Sequence, residues 1–590
     1  MTKLHALRYG LLTGLMFLFI SGTFAQSKRP NILLIITDDQ GYGDLGLHGN
    51  PDVRTPNIDA WAQQSVQLKQ FYVSPVCAPT RAALMSGQYS MRTGVYDTHN
   101  GGSLMSSEVR TLPEALQSGG YRTGLFGKWH LGDTYPYRPQ DQGFEEVLTH
   151  GAGGIGQPGD HIENFKRWKT TSYWDAMLQH NGVWEPSEGY CAEVFADAAL
   201  EFMTQESDQP FFTYLAFNTP HEPLLAPESY LTHYDSLTQP ETSWMKPQDY
   251  ETAQKVYAMV ENIDDQLGKL LAGLKQSGQL ENTLVIFMSD NGPWRGRYNA
   301  NLRGGKGSVY EGGVKVPCIM ALGDRFDGIS ELDVPLAHYD LMPTLLDLAK
   351  VDEPDGLDGK SFARLLKGKK SKTDFEDRSM FYQFQRGGLS PYYNTAIRKG
   401  DFKLIGTGPY DASNEQFLLY NLAQDPREKT NLQDSLPEVV DSLRKELDGW
   451  FEDIQTHALA SPLPIVVGTA NENPVMLSRN DMRGLGGRTW LSENAGGFWD
   501  VEVAEAGAYE ITVTFLAPIQ KRMVNLRIGG RKWGIKNTEA DQASFTFPKV
   551  ILPKGRSLLE CWTEHRDENG MNVTTPFYVE VKYQQAAASR

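Results

Sequence analysis

The sequence predicts a large α/β domain followed by a small α+β subdomain and a β-sandwich. Over about residues 28–370, continuous apolar runs alternate with helical patterns, which is typical of strands buried between helices in a parallel sheet. A charged break at 367–372 precedes short strand patterns and one long helical pattern, which indicates the α+β subdomain. From about residue 461, apolar and polar residues alternate in short stretches without helical patterns, as in a β-sandwich.

Four apolar runs are expected to form the centre of the α/β sheet. The clearest is Asn31 to Ile36, which is rich in β-branched residues and indicates a strand buried on both faces. The others are Tyr121 to Phe126, Pro210 to Phe217 and Thr283 to Met288. Helices are expected at Thr55 to Gln67, Leu112 to Ser118, Tyr190 to Met203, Ala253 to Leu274 and Asp340 to Leu348. Each run ends in polar residues, and the carboxyl edge of an open α/β sheet is where ligands bind.

The first 25 residues differ in composition from the rest of the chain. Lys3 and Arg8 precede a short apolar run, Leu11 to Ile20, and Thr23-Phe24-Ala25 offers a small-residue cleavage site. This pattern predicts a secretory signal peptide that is too short for a stable membrane span. We therefore expect a mature chain without a membrane span, exported to a periplasm or secreted.

Length, charge and cysteine content limit the class of protein. A single core rarely grows to 590 residues, and we place domains at 26–370, 371–460 and 461–590 after a signal peptide at 1–25. The formal net charge of −17 argues against nucleic acid as a partner, although a local cationic pocket can still bind an anion. Four cysteines are too few for a disulfide scaffold, and Cys191 and Cys318 lie in apolar runs typical of a core.

The segment Ser74 to Gly87 is expected to be extended at first and then helical. Pro79 suits the first turn of a helix, and Gly87 suits its end. Cys77 would lie at the helix N-terminus, where free N–H groups favour negative charge, and Arg81 would point back toward it. A nucleophile and a fixed cation therefore coincide in this segment.

This segment carries a family resemblance. Cys77-Ala78-Pro79-Thr80-Arg81, with Ala83-Leu84-Met85-Ser86-Gly87, resembles the signature of the type I sulfatases of the alkaline phosphatase superfamily. The resemblance extends over about residues 28–450 and implies an alkaline-phosphatase-like mixed sheet sandwiched by helices, with a C-terminal α+β subdomain. It also implies that a maturation enzyme oxidises Cys77 to formylglycine, whose hydrate is the nucleophile of a sulfuric ester hydrolase.

Polar residues at two strand ends indicate a metal site. Asp38 and Asp39 follow the first strand, and Asp290 and Asn291 follow the strand that begins at Thr283. Adjacent carboxylates repel each other unless a cation lies between them, and ligands with only oxygen donors favour Ca²⁺ or Mg²⁺ over zinc. The resemblance implies that these four residues and the modified Cys77 hold one divalent cation, usually calcium.

Four further residues acquire roles from the resemblance: Lys128, His130, His221 and Lys306. It implies that Arg81, Lys128 and Lys306 bind the sulfate oxygens and stabilise the transition state. His221, helped by Lys306, would protonate the departing alcohol. His130 would deprotonate the second hydroxyl of the hydrate, so that the aldehyde forms again and sulfate leaves.

The substrate is expected to be a sulfated carbohydrate, because an exported enzyme with an added β-domain meets such polymers. A long insertion at 151–182 is rich in glycine, aromatic and basic residues, and such loops line active sites. Its expected sugar contacts are Arg167, Trp168, Lys169 and Trp174.

Other functions remain open at this level. They are hydrolysis of small aryl sulfates, hydrolysis of phosphate or phosphonate monoesters, and sugar binding by a β-sandwich beside an inert domain. The sandwich tryptophans would then form a sugar platform, whereas the alternative is that they belong to its core: Trp499, Trp533 and Trp562.

Overall fold

The computed structural model describes residues 29–237, 249–326, 328–368, 373–387, 391–409, 413–457, 462–484, 496–567 and 570–584. The predicted signal peptide and the predicted domain boundaries near residues 370 and 460 lie outside these ranges. Within them, no helix combines the length and apolar character needed to cross a bilayer.

A ten-stranded mixed sheet forms the large domain. Its strands are β1 Asn31–Thr37, β2 Val66–Tyr72, β3 Arg122–Gly127, β4 Glu146–Thr149, β5 Met177–His180, β6 Val183–Pro186, β7 Phe211–Ala216, β8 Thr283–Ser289, β9 Cys318–Ala321 and β10 Glu331–Ala337. The order is β10-β2-β9-β8-β1-β7-β3-β4-β5-β6. The four predicted apolar runs are the adjacent parallel strands β8, β1, β7 and β3, so their polar carboxyl ends meet at one edge.

Helices cover both faces of this sheet. They are α1 Pro56–Ala62, α2 Cys77–Ser86, α3 Leu112–Ser118, α4 Ile162–Lys166, α5 Cys191–Thr204, α6 Glu228–Leu231, α7 Tyr250–Gln276, α8 Glu311–Val314 and α9 Leu341–Ala349. Alternate residues of β1 enter two separate cores, with Leu34 on one face and Leu33 on the other. One predicted helix is too long, because α1 ends at Ala62 and β2 begins at Val66, where it pairs with β9 and β10.

The α+β subdomain is a four-stranded antiparallel sheet with one long helix. Its elements are α10 Thr373–Glu376, β11 Ser379–Gln383, β12 Tyr393–Lys399, β13 Phe402–Thr407, β14 Phe417–Asn421 and α11 Pro437–His457. The strand order follows the chain, and Leu447 of α11 packs in the same core as Leu404 and Leu419 of the sheet.

The C-terminal residues form two facing β-sheets. Their strands are β15 Ile465–Val467, β16 Val475–Ser478, β17 Trp499–Val503, β18 Gly507–Thr514, β19 Met523–Ile528, β20 Arg531–Lys536, β21 Ser544–Leu552, β22 Gly555–Asp567, β23 Gly570–Thr574 and β24 Tyr578–Gln584. One sheet has the order β15-β17-β22-β19-β20 with β23 on β22, and the other has β16-β24-β18-β21. Trp499 is fully buried and Trp533 packs against the sandwich core, which favours a core role for these two. Trp562 is only partly buried, and Arg527 and Lys532 lie over its ring.

The sandwich is packed onto the large domain. Leu104 and Tyr137 of the large domain belong to the same hydrophobic core as the sandwich residues Ile465 and Trp499. The hydroxyl of Tyr137 donates a hydrogen bond to the carbonyl of Pro464 at 2.8 Å. This continuous core fixes the sandwich against the large domain.

Candidate active site

Cys77 is the first residue of α2, as the sequence predicts. The helix follows extended Val76 and ends at Gly87, whose φ of 66° lies in the left-handed region that glycine adopts without steric penalty. Cys77 is buried, and so is Arg81 one turn further along. The fold thus directs residue 77 toward the carboxyl edge of the sheet.

Three carboxylates and three cationic side chains alternate beneath Cys77. Lys128 Nζ lies 2.6 Å from Asp38 Oδ2, and both side chains are fully buried. Lys306 Nζ lies 2.7 Å from Asp39 Oδ1. The third pair joins Arg81 Nη2 to Asp290 Oδ2 at 2.8 Å. The repulsion between adjacent carboxylates is therefore relieved by lysines, and the cluster by itself is electrically balanced.

The same cluster leaves buried oxygen atoms without hydrogen-bond partners. They are Asp38 Oδ1, Asp39 Oδ2 and Asn291 Oδ1. Donor atoms of Asp38, Cys77 and Asp290 lie within 4.8 Å of one another, as do those of Asp38, Asp39 and His221. Unpaired buried oxygens are costly, so this oxygen-rich set fits a hard divalent cation.

The pKa values of the two aspartates diverge because their surroundings differ. Burial opposes ionisation of Asp39, but the charge of Lys306 and a hydrogen bond from Asn291 outweigh it and lower the pKa of that carboxyl. Burial and the nearby charge of Asp38 raise the pKa of Asp290 to about 7 despite the contact with Arg81. The ionised form of Asp290 thus lacks the solvation that it would have in water, and a bound cation would stabilise it.

The two histidines are neutral, and their hydrogen bonds fix the tautomers. His130 Nε2 lies 2.8 Å from the carbonyl oxygen of Thr98, which can only accept, so Nε2 carries the proton. Its Nδ1 then presents a lone pair to Cys77 Sγ at 3.4 Å. In the same way, His221 Nδ1 donates to the carbonyl of Glu222 at 2.7 Å. Burial, reinforced by Lys128 for His130 and by Lys306 for His221, lowers both pKa values.

Cys77 opens into a cavity of about 530 Å³, which we call the active-site cavity. Two of the four predicted sugar contacts, Trp168 and Lys169, line it. Arg167 instead donates hydrogen bonds to the carbonyls of Trp174 and Asp175, both at 2.8 Å. Arg167 therefore holds the inserted loop in shape, and Trp174 packs against Tyr190.

Sequence reasoning missed several residues that line the active-site cavity. Arg386 comes from the α+β subdomain and Asn480 from the β-sandwich. Both contact the loop that holds His130, since Arg386 Nη1 lies 3.0 Å from Asp97 Oδ1 and Asn480 Nδ2 donates to Ser103 Oγ at 3.3 Å. They come from segments about 290 and 380 residues away from that loop, so local sequence patterns carried no signal for them.

The fold and the site together define an α/β enzyme whose buried polar centre lies at the carboxyl edge of a mixed sheet. Comparison with known proteins identifies the family. The sequence model of the family described as Sulfatase matches residues 30–351. A second model, described as N-sulphoglucosamine sulphohydrolase, C-terminal, matches residues 305–453. The chain belongs to the sulfatase family, and it is an enzyme that hydrolyses sulfate esters.

Individual relatives agree with this assignment. Arylsulfatase A from Homo sapiens is 31% identical over 488 residues, covering 73% of this chain and 89% of that protein. N-acetylgalactosamine-6-sulfatase from Sus scrofa is 28% identical over 72% of this chain and 85% of that protein. Among solved structures, Ps i-CgsB in complex with k-i-k-neocarrahexaose has a TM-score of 0.64 and 28% identity, covering 73% of this chain and 94% of that one.

Proposed function

We propose that this sulfatase removes sulfate from a sulfated oligo- or polysaccharide, using a formylglycine at position 77 and one calcium ion. The observation that carries the proposal is the position of Cys77, which lies between His130 and a buried cluster with unpaired oxygens and faces an open cavity. The predicted signal peptide at 1–25 supports action in a periplasm or outside the cell.

An unmodified thiol is a poor nucleophile at this position. Burial raises the pKa of Cys77, and Lys128 and Lys306 offset that effect only in part. The thiol would therefore stay protonated near neutral pH. Conversion to formylglycine by a maturation enzyme would supply a hydrated aldehyde with two hydroxyl groups. The residues Pro79 and Arg81 that follow Cys77 support this modification, because Cys77, Pro79 and Arg81 together resemble the family signature.

The divalent cation would be held by Asp38, Asp39, Asp290, Asn291 and modified residue 77. The unpaired oxygens of three of these residues support the assignment. When bound, the cation supplies positive charge that favours a sulfate oxygen and an ionised nucleophile. Because the side-chain charges of the cluster balance one another, the ion would give the site a net positive charge suited to a sulfate ester.

The side chains of this chain would perform the proton transfers and hold the sulfate. Three cations belong to the charged cluster beneath residue 77: Arg81, Lys128 and Lys306. Their charges would stabilise the negative charge that develops on the sulfate oxygens. His130 Nδ1 is the free acceptor beside residue 77 and would take a proton from it. Asp39 binds both His221 and Lys306, at 3.6 and 2.7 Å. His221 carries its one proton on Nδ1, so Nε2 would first take up a second proton, from solvent or from the Lys306 ammonium, and would then pass it to the oxygen of the leaving alcohol.

A carbohydrate substrate is favoured by the walls of the cavity. Trp168 lines it and supplies an aromatic side chain, and aromatic rings are large amphipathic surfaces on which a sugar ring can pack. Lys169 lies over the same ring at 4.6 Å from its centre. Ps i-CgsB, which binds neocarrahexaose, and N-acetylgalactosamine-6-sulfatase give the same indication by similarity.

Mass spectrometry of the Cys77 peptide, together with a substrate panel, tests the proposal. We expect formylglycine in an active preparation and turnover of one sulfated oligosaccharide above that of an aryl sulfate or a matched phosphate ester. Cys77→Ala should remove turnover, whereas Cys191→Ala, which changes another buried cysteine, should retain it. An active preparation in which Cys77 is wholly unmodified would refute the nucleophile, and a preference for aryl or phosphate esters would refute the substrate class.

A further inference from the structure

A second cavity lies beside the active-site cavity. Its volume is about 530 Å³, and Trp294 and Lys306 line both cavities. We call it the cationic cavity, because five of its lining residues are basic and none is acidic. The basic residues are Arg295, Arg297, Lys306, Arg427 and Lys429. Such a lining is unexpected on a chain with a formal net charge of −17.

Two of these cations have no acidic partner. Arg297 is bound by Asp44 at 2.7 Å, and Arg295 lies 2.7 Å from Glu222. By contrast, within the part of the chain that the structure describes, no carboxylate forms an ion pair with Arg427 or Lys429, and both are exposed. Their charge is therefore available to an anion that enters the cavity.

The turn that carries Arg427 and Lys429 is rigid. The Asp425 carboxylate accepts the backbone N–H groups of Lys429 and Thr430, at 2.6 and 2.7 Å. Glu428, between the two cations, is fully buried and lies 3.0 Å from Lys403 Nζ. Because Glu428 is anchored inward, its two neighbours are held outward on the rim of the cavity.

Another segment that lines the cationic cavity is also preorganised. Its residues Arg295 and Asn301 have φ values of 74° and 59°, in the left-handed region that non-glycine residues seldom adopt. Such strain persists where the surrounding structure over-determines the backbone, often at ligand-binding loops. Trp294, on the shared rim, is 46% exposed and offers an aromatic face.

We infer that the cationic cavity binds a second anionic group of the substrate, a sulfate ester or a carboxylate on a sugar neighbouring the one that loses sulfate. The sugar ring between the two anions would stack on Trp294, which lies at the junction of the cavities. This inference rests on the proposed function and narrows it to polyanionic glycans. It assigns the second anion to Arg427 and Lys429 rather than to the inserted loop at 151–182.

Inhibition of aryl sulfate hydrolysis tests the inference without requiring turnover of the glycan. The inhibitors are three hexasaccharides: a multiply sulfated carrageenan without uronate, a singly sulfated chain with uronates, and a singly sulfated chain that is otherwise neutral. The enzymes are the full-length wild type, the double variant Arg427→Gln/Lys429→Gln, and the control Lys275→Gln at the exposed end of α7. Each inhibition constant is divided by the KM of the same enzyme for the aryl sulfate.

We expect the double variant to bind the multiply sulfated or the uronate-containing chain about tenfold more weakly, the magnitude of one charge-assisted contact. If the double variant binds only the multiply sulfated chain more weakly, the second anion is a sulfate. If it binds only the uronate-containing chain more weakly, the second anion is a carboxylate. The singly sulfated neutral chain should bind the double variant as it binds the control. Equal weakening of all three inhibitors, no difference from the control, or no inhibition of the wild type would overturn the inference. Absence of aryl sulfate hydrolysis by the wild type would instead refute the proposed chemistry.

Discussion

Replacing Asp290 by asparagine separates metal binding from ordinary ion pairing. Asp290 contacts Arg81 at 2.8 Å, both side chains are fully buried, and Asp290 belongs to the proposed calcium ligands. A matched control is Asp340→Asn, because Asp340 is also fully buried and pairs with Arg378, outside the active-site cavity. Both variants keep the side-chain shape and remove one buried negative charge.

The expected magnitudes differ in their dependence on calcium. Breaking a buried ion pair lowers the unfolding free energy by about 3–5 kcal/mol, which we expect for Asp340→Asn at any calcium concentration. Without calcium, Asp290→Asn should lower the unfolding free energy by less than this. Burial and the charge of Asp38 raise the pKa of Asp290 to about 7, so a fraction of the molecules already carry an uncharged Asp290 near neutral pH. A ligand at 1,000 times its Kd stabilises the folded state by about 4 kcal/mol. Asp290→Asn should lose most of that calcium-dependent increment.

Calorimetric unfolding with and without saturating calcium measures this increment for each enzyme. The wild type and Asp340→Asn should both gain about 4 kcal/mol when calcium reaches 1,000 times the wild-type Kd. Asp290→Asn should gain less than about 1 kcal/mol at that concentration and should be inactive. An undiminished calcium increment in Asp290→Asn would show that Asp290 is not a ligand, and the metal site would have to be drawn from other residues.

Three further predictions concern the cavity wall and the domain contact. Trp168→Ala removes the aromatic ring from the cavity wall, so the kcat/KM ratio of sulfated oligosaccharide to aryl sulfate should fall about fivefold, and an unchanged ratio would exclude the contact. Asn480→Ala should lower kcat/KM for the oligosaccharide about tenfold. The control is Asn525→Ala, because Asn525 is equally buried in the sandwich, and it should leave kcat/KM unchanged. Equal losses of kcat/KM in both variants would indicate a folding defect. Burial raises the pKa of Asp481 to about 6, so the folded state binds more protons than the unfolded state and the unfolding free energy falls as pH rises from about 4 through 6. Asp481→Asn should make this fall of the unfolding free energy about 3 kcal/mol smaller when unfolding is measured between about pH 4 and pH 6. An unchanged dependence of the unfolding free energy on pH would contradict the prediction.

Local pattern was sufficient for much of the fold. The continuous apolar runs predicted the four central strands, and the helix Leu112–Ser118 begins and ends at the predicted residues. The prediction failed at Thr55 to Gln67, where the helix ends at Ala62 and a strand begins at Val66. That strand pairs with β10, whose residues lie about 265 positions later, and no local pattern reports such a partner.

The same division applies to the site. The sequence by itself determined which polar groups follow the strands, because parallel neighbouring strands bring their carboxyl ends to one edge whatever the rest of the chain does. Only the tertiary structure decided which loop residues face the cavity: Trp168 lines it, whereas Arg167 is held by backbone carbonyls. It also brought Asn480 and Arg427 to the rims of the two cavities from separate parts of the chain. No repeating pattern in the sequence reports which way a loop side chain points or which distant segments pack together. The cavity walls that select a substrate are therefore defined only by the packing of the domains.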